Sequence, residues 1–175
     1  MPLATHLAED RQAITDQLHH YCRAMDRIDR DLGYAVWHED GLAEYGPLYS
    51  GSARGFVDWV CETHGNLIAH SHRISNILIR LTGDRAESEA YVNATLRFEQ
   101  DGQLRQANVY GRYVDRWSRR DDRWAIDRRV YIQDFDDVRD VDTLLTGGWG
   151  RRDREDPSYA ALPGAAAPSA VPKAG

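Results

Sequence analysis

Lysine is nearly absent from this chain, which carries it only at Lys173. Lysine and arginine together number 22 against 28 acidic residues, a net charge of −6. That balance argues against a nucleic-acid binder, which needs a basic face to displace phosphate counterions. Arginines do gather at Arg112, Arg116, Arg119, Arg120, Arg123, Arg128 and Arg129, but Asp115, Asp121, Asp122 and Asp127 stand among them. Such interleaving is the pattern of a solvated strand face. Cysteine is scarce too: Cys22 and Cys61 lie far apart with no CxxC, which rules out a disulfide framework. Apolar runs extend over only a few residues, so no membrane span is expected. No basic–apolar–small-residue leader opens the sequence, and the expectation is a cytoplasmic protein. GxGxxG, P-loop, GxSxG, HExxH and EF-hand patterns are all missing, which leaves no recognisable site for nucleotide, flavin or a catalytic serine. Any chemistry must come from a few polar side chains in a pocket, with no cofactor.

What is present suits one domain. The 175 residues, 42% of them apolar, can hide roughly 70% of the unfolded surface, enough for a core with a pocket in it. Ile14, Leu18, Tyr21, Met25 and Ile28 recur at spacings of four and three, predicting an amphipathic helix from Asp10, its N-cap, to about Ile28. Asp31 is read as the cap of a second, shorter helix ending near Asp40–Gly41. Gly46-Pro47 marks a turn between two short extended pieces, and a third helix is expected from Ala53 to about Thr63.

Beyond residue 68 the texture changes to long extended runs: Ala69–Leu81, Arg85–Gln100, Gln103–Ser118 and Arg123–Phe135. In the second, Ala86, Ser88, Ala90, Val92, Ala94, Leu96 and Phe98 share a face, and Asp101-Gly102 is a strong hairpin signal. Helices first and antiparallel strands after them argue an α+β fold with helices packed on one face of a curved sheet. Residues 1–146 form the domain. From residue 147 the composition shifts to Gly, Ala, Pro and charge, so 147–175 read as a flexible tail, with the last dozen residues disordered.

Three places hold candidate chemistry. His70 and His72 share one strand face by period two, a spacing that suits two metal ligands. No further ligand stands at a persuasive spacing, so no metal is expected, and plain hydrogen-bonded strand histidines are the alternative. Tyr21 belongs to the apolar stripe of the first helix, and Asp26 lies near its C-terminal end, where the macrodipole disfavours a carboxylate. Five residues apart, the two differ by about 140° around the helix, so helix geometry alone does not bring them together. Of Arg128 and Arg129, one must face inward and needs a carboxylate or ligand oxygen there. Periodicity does not say which.

In order, Tyr21-x4-Asp26, Trp37-His38-Glu39-Asp40, His72-x3-Asn76 and Trp124-x3-Arg128-Arg129 resemble the SnoaL-like branch of the nuclear-transport-factor-2-like superfamily, over about residues 8–135. The cofactor-free lyases of that superfamily include hexachlorocyclohexane dehydrochlorinase, scytalone dehydratase and the bile-acid 7α-dehydratases. The resemblance implies a cone-shaped α+β barrel, in which three N-terminal helices wrap a strongly curved, mainly antiparallel sheet around an apolar pocket. It implies that His72 takes a proton from carbon and that Asp26 orients the imidazole; Asn76, four residues on and on the same face, suits either support of His72 or a strand hydrogen bond. Tyr21 would then donate a hydrogen bond or proton, and Arg129 would reach the pocket. The chemistry agrees: histidine accepts and returns protons near neutrality, and a carboxylate fixes its tautomer.

The function expected is elimination of water from a small apolar hydroxylated molecule such as a steroid, terpenoid or aromatic. The dehydrochlorinase has a lysine on its first helix and this chain has none, which turns the expectation away from chlorinated substrates. Trp37, Phe56, Trp59, Tyr91, Tyr110 and Tyr113 are the candidate pocket lining. Isomerase or cyclase chemistry, and a non-catalytic assembly role like that of the β subunit of ring-hydroxylating dioxygenases, are the alternatives. A homodimer or homotrimer is expected.

Overall fold

A computed structural model describes residues 2–142 and 149–162, and the side chains from residue 6 onward. The chain runs α1 (Pro2–Arg27), α2 (Arg30–Ala35), β1 (Trp37–Glu44), β2 (Ser50–Ser52), α3 (Ala53–Gly65), β3 (Ala69–Thr82), β4 (Arg85–Gln100), β5 (Gln103–Arg120), β6 (Arg123–Asp140) and a short α4 (Ser158–Ala161). The six strands form one curled, unclosed sheet in the order β2-β1-β6-β5-β4-β3. Only the β1–β6 pairing is parallel. The helices cover the concave face. No helix among the described residues is long and apolar enough to cross a membrane.

The stripe on α1 is buried as the spacing predicts: Ile14, Leu18, Tyr21 and Met25 face the sheet. The helix starts earlier than expected. Pro2 is tolerated in a first turn, and no breaker stands between it and Asp10. Asp10 is not a cap, because its Oδ1 accepts the Trp124 indole N–H at 2.8 Å and Arg119 Nη1 at 3.3 Å.

At its other end α1 stops in a Schellman arrangement. Ile28 N–H donates to Met25 O and Asp29 N–H to Ala24 O. Ile28 sits at φ 53°, a position usually held by glycine, at a cost of about 1–2 kcal/mol. This tight stop leaves Asp26 in the last turn. Asp29, not Asp31, caps α2, its Oδ1 accepting the Leu32 N–H at 3.1 Å. The second helix is also shorter than predicted. Residues 37–44 pair with β6 as a strand instead, because the sheet satisfies their backbone and buries Trp37 and Ala43.

The four long strands match the sequence reading within a few residues, except that β6 continues five residues beyond Phe135. Their turns have the geometry hairpins favour: Asp101-Gly102 and Asp121-Asp122 carry positive φ at both central positions, and Gly83 at the first. Period two sends Ala86, Ser88, Ala90 and Val92 of β4 inward, opposite Trp117, Asp115, Tyr113 and Gly111 of β5. Small residues on one strand thus make room for large ones on the next. Extra residues at Asp127 and Asp134 on β6, and around Asn76 on β3, bend the sheet into its cone.

The part of the tail that is described, residues 149–162, does not hang free of the domain; it bonds back to α1, α2 and α3. The disorder expected for the last dozen residues falls outside the described residues.

Gly111 is where Tyr131 crosses the sheet. A Cβ there would run into Ile132 O and approach Tyr131 Cε2 to 2.7 Å. Gly111→Ala is therefore expected to destabilise the fold by about 1–3 kcal/mol, read as a lower denaturation midpoint with an unchanged m-value.

Candidate active site

The end of α1 and the start of β3 bring Asp26 and His72 together. Asp26 Oδ1 accepts His72 Nδ1–H at 2.7 Å and the His72 backbone N–H at 2.9 Å, and Oδ2 accepts the same backbone N–H at 3.1 Å. A carboxylate only accepts, so the imidazole proton sits on Nδ1, and Nε2 is left with a lone pair to receive a proton. Both side chains are largely shielded from solvent.

His70 is placed differently. Its Nε2 meets the Met25 carbonyl at 2.8 Å, which fixes the proton on Nε2, and its Nδ1 faces Arg152 Nη1 at 3.5 Å. Both of its ring nitrogens are engaged. His64, from the last turn of α3, completes a trio, with ring centroids 4.5 Å from His70 and 5.4 Å from His72. Burial, with His72 and His70 beside it, pushes His64 down to about 3, so it is neutral across the physiological range. Among the described residues no three His, Cys, Asp or Glu side chains are grouped as ligands for a metal.

A second cluster fills the cone. Arg129 is fully buried and makes a two-pronged pair with Asp115: Nε to Oδ1 and Nη2 to Oδ2, each 2.8 Å. Burial opposes the guanidinium charge, but the attractions around it, that of Asp115 foremost, together outweigh burial and Arg129 sits above its ordinary range. Its guanidinium carbon lies 3.9 Å from the Tyr113 ring centroid and 4.2 Å from that of Tyr21. The Tyr21 hydroxyl is 2.8 Å from that of Tyr45, whose ring stacks on Phe56. Burial raises Tyr21, Tyr45 and Tyr113 well above the usual phenol range, so they are hydrogen-bonding groups rather than bases. Among the described residues two N–H groups here have no hydrogen-bond partner, Arg129 Nη1 and Trp37 Nε1.

Of the residues singled out from sequence, Asp26 and His72 meet, and Tyr21, Arg129, Trp37, Phe56 and Tyr113 form the interior cluster. No hydrogen bond joins the two groups among the described residues. Trp59 is half-buried against Phe56 and Tyr49. Tyr91 and Tyr110 do not line the interior. Tyr91 is 43% exposed because its neighbours Ala90 and Val92 take the inward positions, and Tyr110 stacks on the exposed Phe135. Asn76 does not support His72; it is exposed in the β3 bulge at φ 49°. Arg128 turns outward to Glu44, which leaves Arg129 as the inward arginine.

The pocket expected inside the cone is occupied by these side chains. An open groove of about 840 Å³ lies at the hairpin end instead, lined by paired charges such as Arg119–Asp84 and Arg120–Asp127. Asp10, which bonds Arg119, is about 24 Å along α1 from Asp26, so this groove is remote from the dyad.

Sequence reasoning missed Tyr45, Asp115, His64 and Arg152. For two of them a signal existed. Asp115 alternates with Tyr113 and Trp117 on the inward face, and His64 follows Val60 and Cys61 at helical spacing. Tyr45 stood in a turn and Arg152 in a segment without periodicity.

Helices followed by a curled, unclosed, mostly antiparallel sheet make up the nuclear-transport-factor-2-like fold. Within it, this chain belongs to the SnoaL-like domain family, whose sequence profile matches residues 6–130. Solved structures with this fold include a candidate scytalone dehydratase from Novosphingobium aromaticivorans, 24% identical, covering 85% of this chain and 98% of its own, at a TM-score of 0.67. A hexachlorocyclohexane dehydrochlorinase from Novosphingobium barchaimii is 14% identical, covering 79% and 94%, at 0.68. A candidate aromatic ring hydroxylase from N. aromaticivorans is 26% identical, covering 77% and 94%, at 0.66. No curated protein matches the chain.

The buried pair gives a sharp stability test. Arg129→Met should cost about 3–5 kcal/mol by stranding Asp115, and adding Asp115→Leu should recover most of that loss. Denaturant titration of the two variants measures both.

Proposed function

We propose that this protein is a cofactor-independent lyase that removes water from a small, apolar, hydroxylated molecule such as a steroid, terpenoid or aromatic. One observation carries the reading: His72 Nδ1–H is held by Asp26 at 2.7 Å, which leaves Nε2 as the free base. His70, committed at both nitrogens, lacks that freedom. In the reaction, Nε2 takes a proton from a carbon next to an activating group, and Asp26 stabilises the imidazolium. The electron pair of the broken C–H bond forms the double bond as the neighbouring C–O bond breaks. The departing hydroxyl takes up a proton and leaves as water, and the imidazolium is the donor at hand.

The unpaired N–H groups of Arg129 and Trp37 are suited to steady charge on that oxygen, with the Tyr21 hydroxyl beside them. Substrate entry requires the packed interior to open. Dehydratase and dehydrochlorinase descriptions among proteins of this fold are in keeping with the reading. The exposed apolar residues of the outer sheet face, Leu78, Tyr91, Val114 and Phe135, suit association into dimers or trimers.

A second reading is favoured by the similarity to a candidate ring hydroxylase. On that reading the chain is a non-catalytic subunit of a larger assembly, and its solution mass would depend on another polypeptide.

Incubation of the wild type and His72→Gln with a panel of hydroxylated steroids, terpenoids and aryl alcohols, followed by mass spectrometry, separates these readings. Loss of 18 mass units (roughly, one water) that falls about 10²–10⁴-fold in the variant is the expected result. A product of unchanged mass would make the protein an isomerase, and turnover that survives in His72→Gln would remove His72 as the base.

A further inference from the structure

Residues 149–162 lie beyond the stretch that defines the family, yet they are bonded to the domain at every turn. Arg154 reaches Asp29 and Asp31, and the Tyr159 hydroxyl donates to Asp29 Oδ2 at 2.7 Å. Arg23 donates to Leu162 O at 2.9 Å and lies over the Tyr159 ring. Arg27 pairs with Asp156. The innermost contact is different in kind. Arg152 Nη1 donates to His64 O at 2.9 Å and points at His70 Nδ1 at 3.5 Å. The Met25 carbonyl holds the His70 proton on Nε2, so Nδ1 meets Arg152 with a lone pair.

We propose that residues 149–162 form a strap that docks against the histidine trio only while His70 is neutral, and that protonation of His70 releases it. A proton on Nδ1 would turn the acceptor into a second N–H aimed at a guanidinium, and docking and protonation therefore exclude each other. Every charged or titratable group facing His70 takes part in this balance: Asp26 and the Met25 carbonyl from α1, His64 from α3, His72 from β3, and Arg152 from the strap. Burial is the largest influence, and the net effect holds His70 below the ordinary histidine value.

The sign follows from linkage. Docking lowers the proton affinity of His70, so this contribution to docking is complete above the ordinary histidine range and is lost as pH falls through the docked value. Two of the other anchoring carboxylates are held low: Asp29, where burial is outweighed by Tyr159, Leu32 and Arg154, and Asp156, through Ser158 and Arg151. They stay charged across about pH 5 to 8, which leaves His70 as the switch. The trio shares His72 with the Asp26–His72 pair, so release of the strap removes Arg152 from the two histidines beside that pair. The consequence for turnover rests on the elimination reading; the docking itself does not.

Amide hydrogen exchange of the full chain between about pH 5 and 8, corrected for the intrinsic rate, tests this without substrate, so it fails or succeeds apart from the lyase reading. Strap protection in the wild type is expected to fall on the order of tenfold towards acid. In His70→Gln it should be independent of pH, and in His72→Gln the pH dependence should persist. Arg152→Gln, outside the core, should exchange quickly at every pH, and its His70 imidazole signal should titrate higher than in the wild type. Strap protection that is constant with pH in the wild type, a pH dependence unchanged in His70→Gln, or an unmoved His70 titration in Arg152→Gln would each overturn the proposal.

Discussion

Asp26 ties the last turn of α1 to the first residues of β3, and most of the site depends on that tie. Its carboxylate takes both the backbone and the ring N–H of His72, so one group fixes the strand's position and the imidazole's tautomer at once. A carboxylate at a helix C-terminus works against the macrodipole. Here the cost is offset by charge-assisted hydrogen bonds from outside the helix, and the strained stop at Ile28 prevents α1 from carrying Asp26 past its partner. Strain and an unfavourable dipole thus fall in one turn, the turn that sets Asp26 against His72.

Behind the dyad, the cone holds its polarity in a narrow form. One arginine and one aspartate are buried together, and aromatic faces cover the guanidinium on both sides. Asp115 uses two of the guanidinium nitrogens, and among the described residues neither Nη1 nor the Trp37 Nε1–H has a hydrogen-bond partner. A buried donor without an acceptor is costly, so this corner favours any ligand that brings an oxygen to it. The neutral tyrosines around it, raised far above their usual range, keep the interior free of competing negative charge.

Much of this was legible in the sequence, because period and punctuation report on local structure. The four-three stripe on α1 predicted that helix and its end, though not its start eight residues before Asp10, while the alternation of β4 and the Asp101-Gly102 turn predicted their elements to within a few residues. Legibility failed where tertiary pairing decides. Residues 37–40 look helical until β6 offers β1 a partner, and Asp10 looks like a cap until Trp124 and Arg119 claim it. Aromaticity alone also misled: Tyr91 and Tyr110 have the chemistry of a pocket lining but the parity of the outer face. The Arg152 contact was beyond reach, since nothing local in a Gly- and charge-rich segment points to histidines more than eighty residues earlier.

The reaction proposed for this site depends on which nitrogen of His72 is free. Nitrogen-15 NMR of the histidine side chains in the intact protein near neutral pH reads this directly, through the distinct shifts of protonated and bare ring nitrogens. The structure predicts His72 with its proton on Nδ1 and a bare Nε2, beside His70 in the opposite form. A His72 protonated on Nε2 with a bare Nδ1 would place its lone pair against the Asp26 carboxylate, leave no base facing a substrate, and contradict the dyad.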